Sequence, residues 1–285
     1  MPPNLNRRSL AVVLFCLLWL FCGFGYAANV AWWSDDYPLG SMQSNLPPGN
    51  NYTQITASDI SSGALVAYDA LVIGHVSSGN LITTTTCSQL QSFLSAGKGL
   101  VSEWNGATVI FPTASGAYYP ANMSCALFSG SAIGGEDNYG SNNAIAISNP
   151  GSPLVAGLAN PFSMQGGSEY VYRITGYGAE WGVVGTSNLG GVNYPTVMAA
   201  RYNNAGCVAL SPFDYFDSVS LGGAEAKTLL GNMIGAVLGS QAGCDARAAA
   251  VSARPVPSQS ATMLWLLSAL VLMAATPALR RRLRR

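Results

Sequence analysis

The chain has 285 residues, of which only 9% are charged, and its formal net charge is zero. That zero sums unlike segments: from Ala28 to Ala250 thirteen acidic side chains stand against five basic ones, Lys98, Arg173, Arg201, Lys227 and Arg247, a net of −8. An acidic body with so few cations repels phosphate backbones, which argues against nucleic acid as a partner.

At the amino end Arg7 and Arg8 precede an apolar stretch over residues 10–24, and Gly25-Tyr26-Ala27 supplies small residues where a signal peptidase reads. Residues 1–27 are therefore expected to be a signal peptide cleaved after Ala27. A lipoprotein signal at Cys22 is the rival, but Phe21 stands where that signal needs a small residue. Cleavage removes Cys16 and Cys22 and leaves Cys87, Cys125, Cys207 and Cys244. An even number in an oxidising compartment points to two disulfides with three available pairings. Sequence proximity favours Cys87 with Cys125 and Cys207 with Cys244. No two of these cysteines have Cys-x-x-Cys spacing and His75 is the sole histidine, so the sequence predicts neither a metal site nor a cofactor.

Residues 28–245 are expected to form one extracytoplasmic α/β domain. Residues 29–33 (NVAWW) read as a short apolar strand, 52–55 as a weaker one, and 69–74 (DALVIG) as a strand without polar alternation, the pattern of a strand buried on both faces. Thr86 can cap a helix carrying Leu90, Phe93 and Leu94 on one face and ended by Gly97, and residues 99–102 return as the next strand to make a βαβ unit. The middle, residues 105–200, is rich in Gly, Asn, Ser and Tyr with short strand-like pieces at 144–147, 171–174 and 182–184. It reads as an irregular β-rich insertion. Residues 207–210 (CVAL) read as a late strand. Ala226, Leu229, Leu230, Met233, Ile234, Val237 and Leu238 then recur at helical spacing over a last helix.

Residues 246–260 are small, Pro-bearing and aperiodic, which makes them a linker. Residues 261–279 carry no charge and rise about 28 Å as a helix, close to the hydrocarbon thickness of a bilayer. The basic tail at 280–285, with Arg280, Arg281, Arg282, Arg284 and Arg285, marks the cytoplasmic side, so the domain faces the periplasm or cell surface. Val256-Pro257-Ser258, the span and the arginines together resemble the bacterial IPTL-CTERM and PEP-CTERM sorting signals, with Ser258-Gln259 where the motif has Thr-Leu. The resemblance implies handling by an exosortase-type membrane protease and association with an extracellular polysaccharide. A tail anchor retained for life is the plainer alternative.

Within the domain, YDALVIG, LQSFLSAGKGLVSEWNG, NPGSPLVAGL, PTVMAARYNNAGCVALSPFDYF and AEAKTLLGNMIGAVLG resemble the class I glutamine amidotransferase-like fold, which includes ThuA-like proteins. The resemblance implies a flavodoxin-like three-layer sandwich with a mostly parallel sheet. Enzymes of that class place a Cys at a tight turn after a central strand and a His late in the chain. Here the turn reads Glu103-Trp104-Asn105-Gly106 and the late strand ends in Ser211-Pro212-Phe213-Asp214, so that triad is absent.

Ligands of open parallel sheets bind beyond the carboxyl ends of the strands. There the expected strands would gather Asp35, Asp36, His75 and Glu103 as candidate catalytic residues, with Trp104 and Asp214 as candidate ligand-binding residues. Paired carboxylates can act as acid and base on a glycosidic bond if they flank it within about 10 Å. Ser102 with His75 would be a nucleophile and base only if the two hydrogen-bond. Glu136-Asp137-Asn138 reads as a solvated loop with oxygen donors for Ca²⁺. The leading expectation is a non-catalytic binding or structural domain, with a glycan hydrolase as the alternative.

Overall fold

The computed structural model describes residues 27–76, 82–112, 124–130, 132–138, 144–164, 170–239 and 244. The expected linker, transmembrane helix and basic tail, and all of the signal peptide but Ala27, lie outside the described residues. Among the described residues no helix is long and apolar enough to cross a membrane.

The strand NVAWW forms β1 (Asn29–Trp33). Alternate side chains leave a strand on opposite faces, so Val30 and Trp32 enter one core and Ala31 and Trp33 the other, all four fully buried. β1 pairs in parallel with β2 (Asn51–Gln54) on one side and β3 (Ala70–Ile73) on the other, and β3 pairs in parallel with β4 (Gly99–Glu103). On one face lie α1 (Leu39–Met42), α5 (Tyr215–Ser220) and α6 (Ala224–Leu238), whose buried side chains share the core of Trp32. On the other, α2 (Ala57–Ser61), α3 (Thr84–Ser95) and α4 (Ala107–Ile110) share the core of Trp33. Both faces of β1, β3 and β4 are covered, which is why their sequences lack polar alternation, whereas the edge strand β2 is largely exposed.

α3 buries Leu90, Phe93 and Leu94 as the periodicity predicts, and Gly97 at φ +81° lets the chain leave it. Its cap differs from expectation. Thr83 is the N-cap and Thr86 is the reciprocal partner of a capping box, so the helix begins before the residue the sequence singled out.

The middle of the chain departs most from the sequence reading. The pieces expected to be an irregular insertion are mostly regular strands: β6 (Ala144–Ile147), β7 (Phe162–Ser163), β9 (Trp181–Leu189) and β10 (Val192–Tyr202). β9 and β10 form a long antiparallel hairpin joined by Gly190-Gly191 at φ +61° and +88°, the two-residue turn that only residues free of a Cβ adopt cheaply. β10 pairs antiparallel with β11 (Gly206–Ser211), and β11 pairs in parallel with β4. The sheet order is β2-β1-β3-β4-β11-β10-β9-β6-β7, so the expected mostly parallel sheet is a mixed one, with its second half antiparallel. The parallel half has the 2-1-3-4-5 order of flavodoxin-like folds. A separate two-stranded sheet joins β5 (Ala132–Asn138) to β8 (Tyr170–Gly176), and it places Glu136, Asp137 and Asn138 on a paired strand instead of the expected loop.

Two disulfides close the domain, Cys87 to Cys125 with Cα atoms 5.1 Å apart and Cys207 to Cys244 at 5.7 Å, the pairing that sequence proximity favours. At the amino ends of the strands Lys98 Nζ meets Asp69 Oδ1 at 2.8 Å, and this bond holds the Asp69 carboxyl below its ordinary range. A carboxyl with a lowered folded pKa stabilises above its unfolded value and loses that contribution as pH falls through the folded one. The pair is exposed, so Asp69→Asn should cost at most about 1 kcal/mol near neutrality and nothing in acid. Urea melts at both pH values check this.

Candidate functional site

Four carboxyl-end turns of the parallel strands meet at one place. After β1 the chain runs through Ser34, Asp35, Asp36 and Tyr37; after β3 through Gly74 and His75; β4 ends in Glu103 and turns at Trp104; and Asp214 follows β11. Backbone bonds knit these turns together. The Asp35 N–H donates to the His75 carbonyl at 2.7 Å, and the Trp104 N–H donates to the Phe213 carbonyl at 3.2 Å. The Asn105 side chain brackets Val76, accepting its N–H at 2.9 Å and donating to its carbonyl at 3.3 Å.

His75 is the centre of the cluster. Its Nδ1 lies 3.2 Å from Asp36 Oδ2, while its Nε2 lies 2.9 Å from Asp214 Oδ1 and 3.8 Å from Glu103 Oε1. Three of the four residues are buried: Glu103 entirely, Asp214 to 2% exposure and His75 to 7%. The Asp36 side chain is 63% exposed and forms the solvent side of the site. Burial foremost, and then the negative charge of Asp214 and a hydrogen bond between the two carboxyl groups, push the Glu103 carboxyl well above the ordinary carboxylate range. Glu103 Oε1 accepts the Phe216 N–H at 3.3 Å, while Oε2, also buried, has no hydrogen-bond partner among the described residues. The same desolvation, with Glu103 nearby, raises the Tyr215 phenol.

Aromatic rings line this cluster. Tyr37 stands edge-on to His75 with ring centroids 4.8 Å apart, and Trp104 tilts against it at 4.4 Å. Tyr170 and Tyr172 each lie 6.0 Å from Trp104. Tyr170 is 37% exposed, so the aromatic wall reaches solvent.

Trp104 carries the backbone strain of the site. Its φ of +25° is unfavourable for any residue with a Cβ and a clear outlier for a bulky one, and such strain gathers at functional turns. The turn is held tight by Gly106, where an added Cβ would meet the Ile73 carbonyl at 2.7 Å.

The expected site residues separate into groups. Asp36, His75, Glu103 and Asp214 are brought into contact, with Trp104 above them. Asp35 is exposed and tied to the rim through its backbone. Asp36 and Glu103 lie within about 10 Å of each other, as a glycosidase pair must, but the His75 imidazole stands between them where a glycosidic oxygen would have to sit. Ser102 Oγ is buried with no hydrogen-bond partner among the described residues, His75 included, so it is not activated by His75 and that nucleophile reading fails on geometry. Trp32 and Trp33 are core residues, fully buried on opposite faces of the sheet. Tyr37, Asn105, Tyr170 and Tyr172 were not anticipated; only the tertiary fold brings them to the rim. A cavity of about 690 Å³ opens at the opposite, amino end of the strands, lined by Asp69, Lys98, Arg201 and Cys207 among others. Ligands of such sheets bind at the carboxyl ends, and the titratable cluster lies there too, so the carboxyl rim is the stronger candidate.

No protein-family model and no curated protein matches the chain. Solved structures do. A ThuA-like protein from Bacteroides uniformis superposes with a TM-score of 0.52 at 11% identity, over 74% of this chain and 92% of that one. A β-galactosidase from Bacillus circulans superposes with a TM-score of 0.50 at 12% identity, over 74% of this chain and 30% of that one. A second ThuA-like protein, from Parabacteroides merdae, aligns at 12% identity over 72% of this chain and 88% of that one, with a TM-score of 0.45. At these identities the likeness is one of fold alone.

Proposed function

We propose that this chain is an exported, membrane-anchored or surface-sorted bacterial protein whose α/β domain binds an extracellular polysaccharide without turning it over. The ThuA-like, amidotransferase-class fold is the scaffold on which this reading rests. One observation carries the reading: Trp104 sits at a strained turn at the carboxyl end of β4, and its ring adjoins His75, Tyr170 and Tyr172. An indole has no nucleophilic atom to offer acyl chemistry, but its flat apolar face suits the C–H face of a sugar ring. The two disulfides favour an oxidising compartment, in keeping with the signal peptide and C-terminal anchor expected from the sequence.

The test is migration of the detergent-solubilised full chain through native gels containing neutral or acidic bacterial polysaccharides. Retardation in at least one gel is expected, with a loss of about 1–3 kcal/mol of binding, roughly 5- to 150-fold, in Trp104→Ala. Unretarded migration in every gel would remove the glycan reading. The alternative, a glycan hydrolase, needs His75 to leave the space between Asp36 and Glu103, and it predicts reducing-sugar release that disappears in both Asp36→Asn and Glu103→Gln.

A further inference from the structure

The geometry points to a divalent transition-metal site of the zinc type formed by His75 Nε2, Asp214 and Glu103, with Asp36 as its outer-shell orienting partner. One donor atom from each of the three ligands lies within 4.8 Å of the others, all on buried residues. In a tetrahedral zinc site with bonds of about 2.0–2.1 Å, neighbouring donors are about 3.3 Å apart. The present separations from Nε2, 2.9 Å to Asp214 and 3.8 Å to Glu103, bracket that value, and no two of the three donors are farther apart than 4.8 Å.

Two independent features separate this from an accidental acidic cluster. Glu103 is completely buried, yet its Oε2 has no hydrogen-bond partner among the described residues, and an under-satisfied carboxylate in the interior is costly. A cation bound by this carboxyl group, whose Oε1 lies 3.8 Å from Nε2, would offset that cost. The second feature lies on the far side of the imidazole, where Asp36 Oδ2 sits 3.2 Å from Nδ1. A carboxylate accepting the Nδ1 proton fixes the tautomer that leaves Nε2 free to ligate, the outer-shell arrangement typical of metal-bound histidines. The net charge of −8 between residues 28 and 250 favours a cation over an anion at the rim.

The donor set chooses the metal. One imidazole with two carboxylates suits zinc or its first-row neighbours, whereas Ca²⁺ and Mg²⁺ favour all-oxygen shells and Cu(I) favours sulfur. Three protein ligands leave a fourth position for water or for an oxygen of a bound ligand. The site stands on geometry separate from the glycan reading, and the two can fail independently.

Zn²⁺ itself is the probe. Full-length protein in detergent, freed of metal by chelator dialysis, is titrated calorimetrically with ZnCl₂, and Co²⁺ is added in parallel for its visible absorption. One equivalent of Zn²⁺ per chain is expected, with a rise in unfolding temperature and a Co²⁺ band that Zn²⁺ abolishes. Glu103→Gln keeps the shape of the side chain and should lose this binding, as should His75→Ala. Asp36→Asn, an exposed change that spares the core, should keep the stoichiometry and weaken affinity by about 10- to 100-fold. The proposal is overturned if the wild-type chain takes up no stoichiometric Zn²⁺, or if Glu103→Gln and Asp36→Asn bind it as the wild type does.

Discussion

Exchanging both Cys87 and Cys125 for alanine is expected to lower the stability of the domain by about 4 kcal/mol, close to the loop-closure entropy of a crosslink of this span and within the 2–5 kcal/mol typical of native disulfides. The two cysteines are separated by 38 positions, and their bond ties α3 to the segment after α4. Domains are stable by only about 5–15 kcal/mol, so this one crosslink is a large share of the total. In a domain of this size the loss corresponds to a fall of about 10 °C in unfolding temperature. Calorimetry of the double variant, beside wild type with and without reductant, measures it. A variant that melts within a degree or two of wild type would mean that the crosslink constrains nothing the fold does not already hold.

Trp32→Ala is expected to cost about 3–5 kcal/mol, the range for deleting a large buried aromatic. The Trp32 ring is fully buried on the inner strand β1 and stacks on Phe216 with centroids 4.8 Å apart and planes inclined by 14°. Its Nε1–H also donates to the Tyr37 carbonyl at 2.8 Å. That bond links the core to the rim, because Tyr37 in turn packs edge-on against His75. Trp32→Phe retains most of the packing and removes the donor, and it should cost about 1–3 kcal/mol, chiefly for the carbonyl left unmatched. Urea melts rank the two variants, and the Phe variant should also show weaker ligand retention. Equal stability of wild type and Trp32→Phe would show that the Tyr37 turn is held by other contacts.

The parallel half of the sheet was legible because its residues carry one unmixed message. NVAWW and DALVIG are apolar without alternation, and a strand with both faces covered has no reason to alternate. α3 and α6 were legible from their spaced apolar side chains. The antiparallel half was obscured because Gly, Ser and Asn are poor strand formers taken singly. Yet SNLGGVNYPTV holds a hairpin signal in Gly190-Gly191, and reading it would have revealed β9 and β10.

At the site the sequence offered Asp36, His75, Glu103 and Asp214 as strand-end residues, because each follows or ends an apolar strand. Their mutual distances were not legible, since 139 positions separate His75 from Asp214. Nor was the zinc-type donor set: it comes from three separate turns, and no local spacing encodes it. Trp104 was legible as the residue beyond a strand end, but the aromatic wall around it was not, because Tyr170 and Tyr172 belong to β8, which pairs with β5 across a long stretch of sequence.

The proposed role requires a domain that works outside the cytoplasm with both cysteine pairs oxidised. The most direct test is the intact mass of the protein recovered from its native cell envelope, measured before and after reduction. The account predicts a chain lacking residues 1–27 and gaining about 4 Da on reduction, two for each disulfide. A mass that retains the first 27 residues and does not change on reduction would contradict it, and would place the domain in a reducing compartment where neither the sorting tail nor an extracellular glycan could have the role assigned to them.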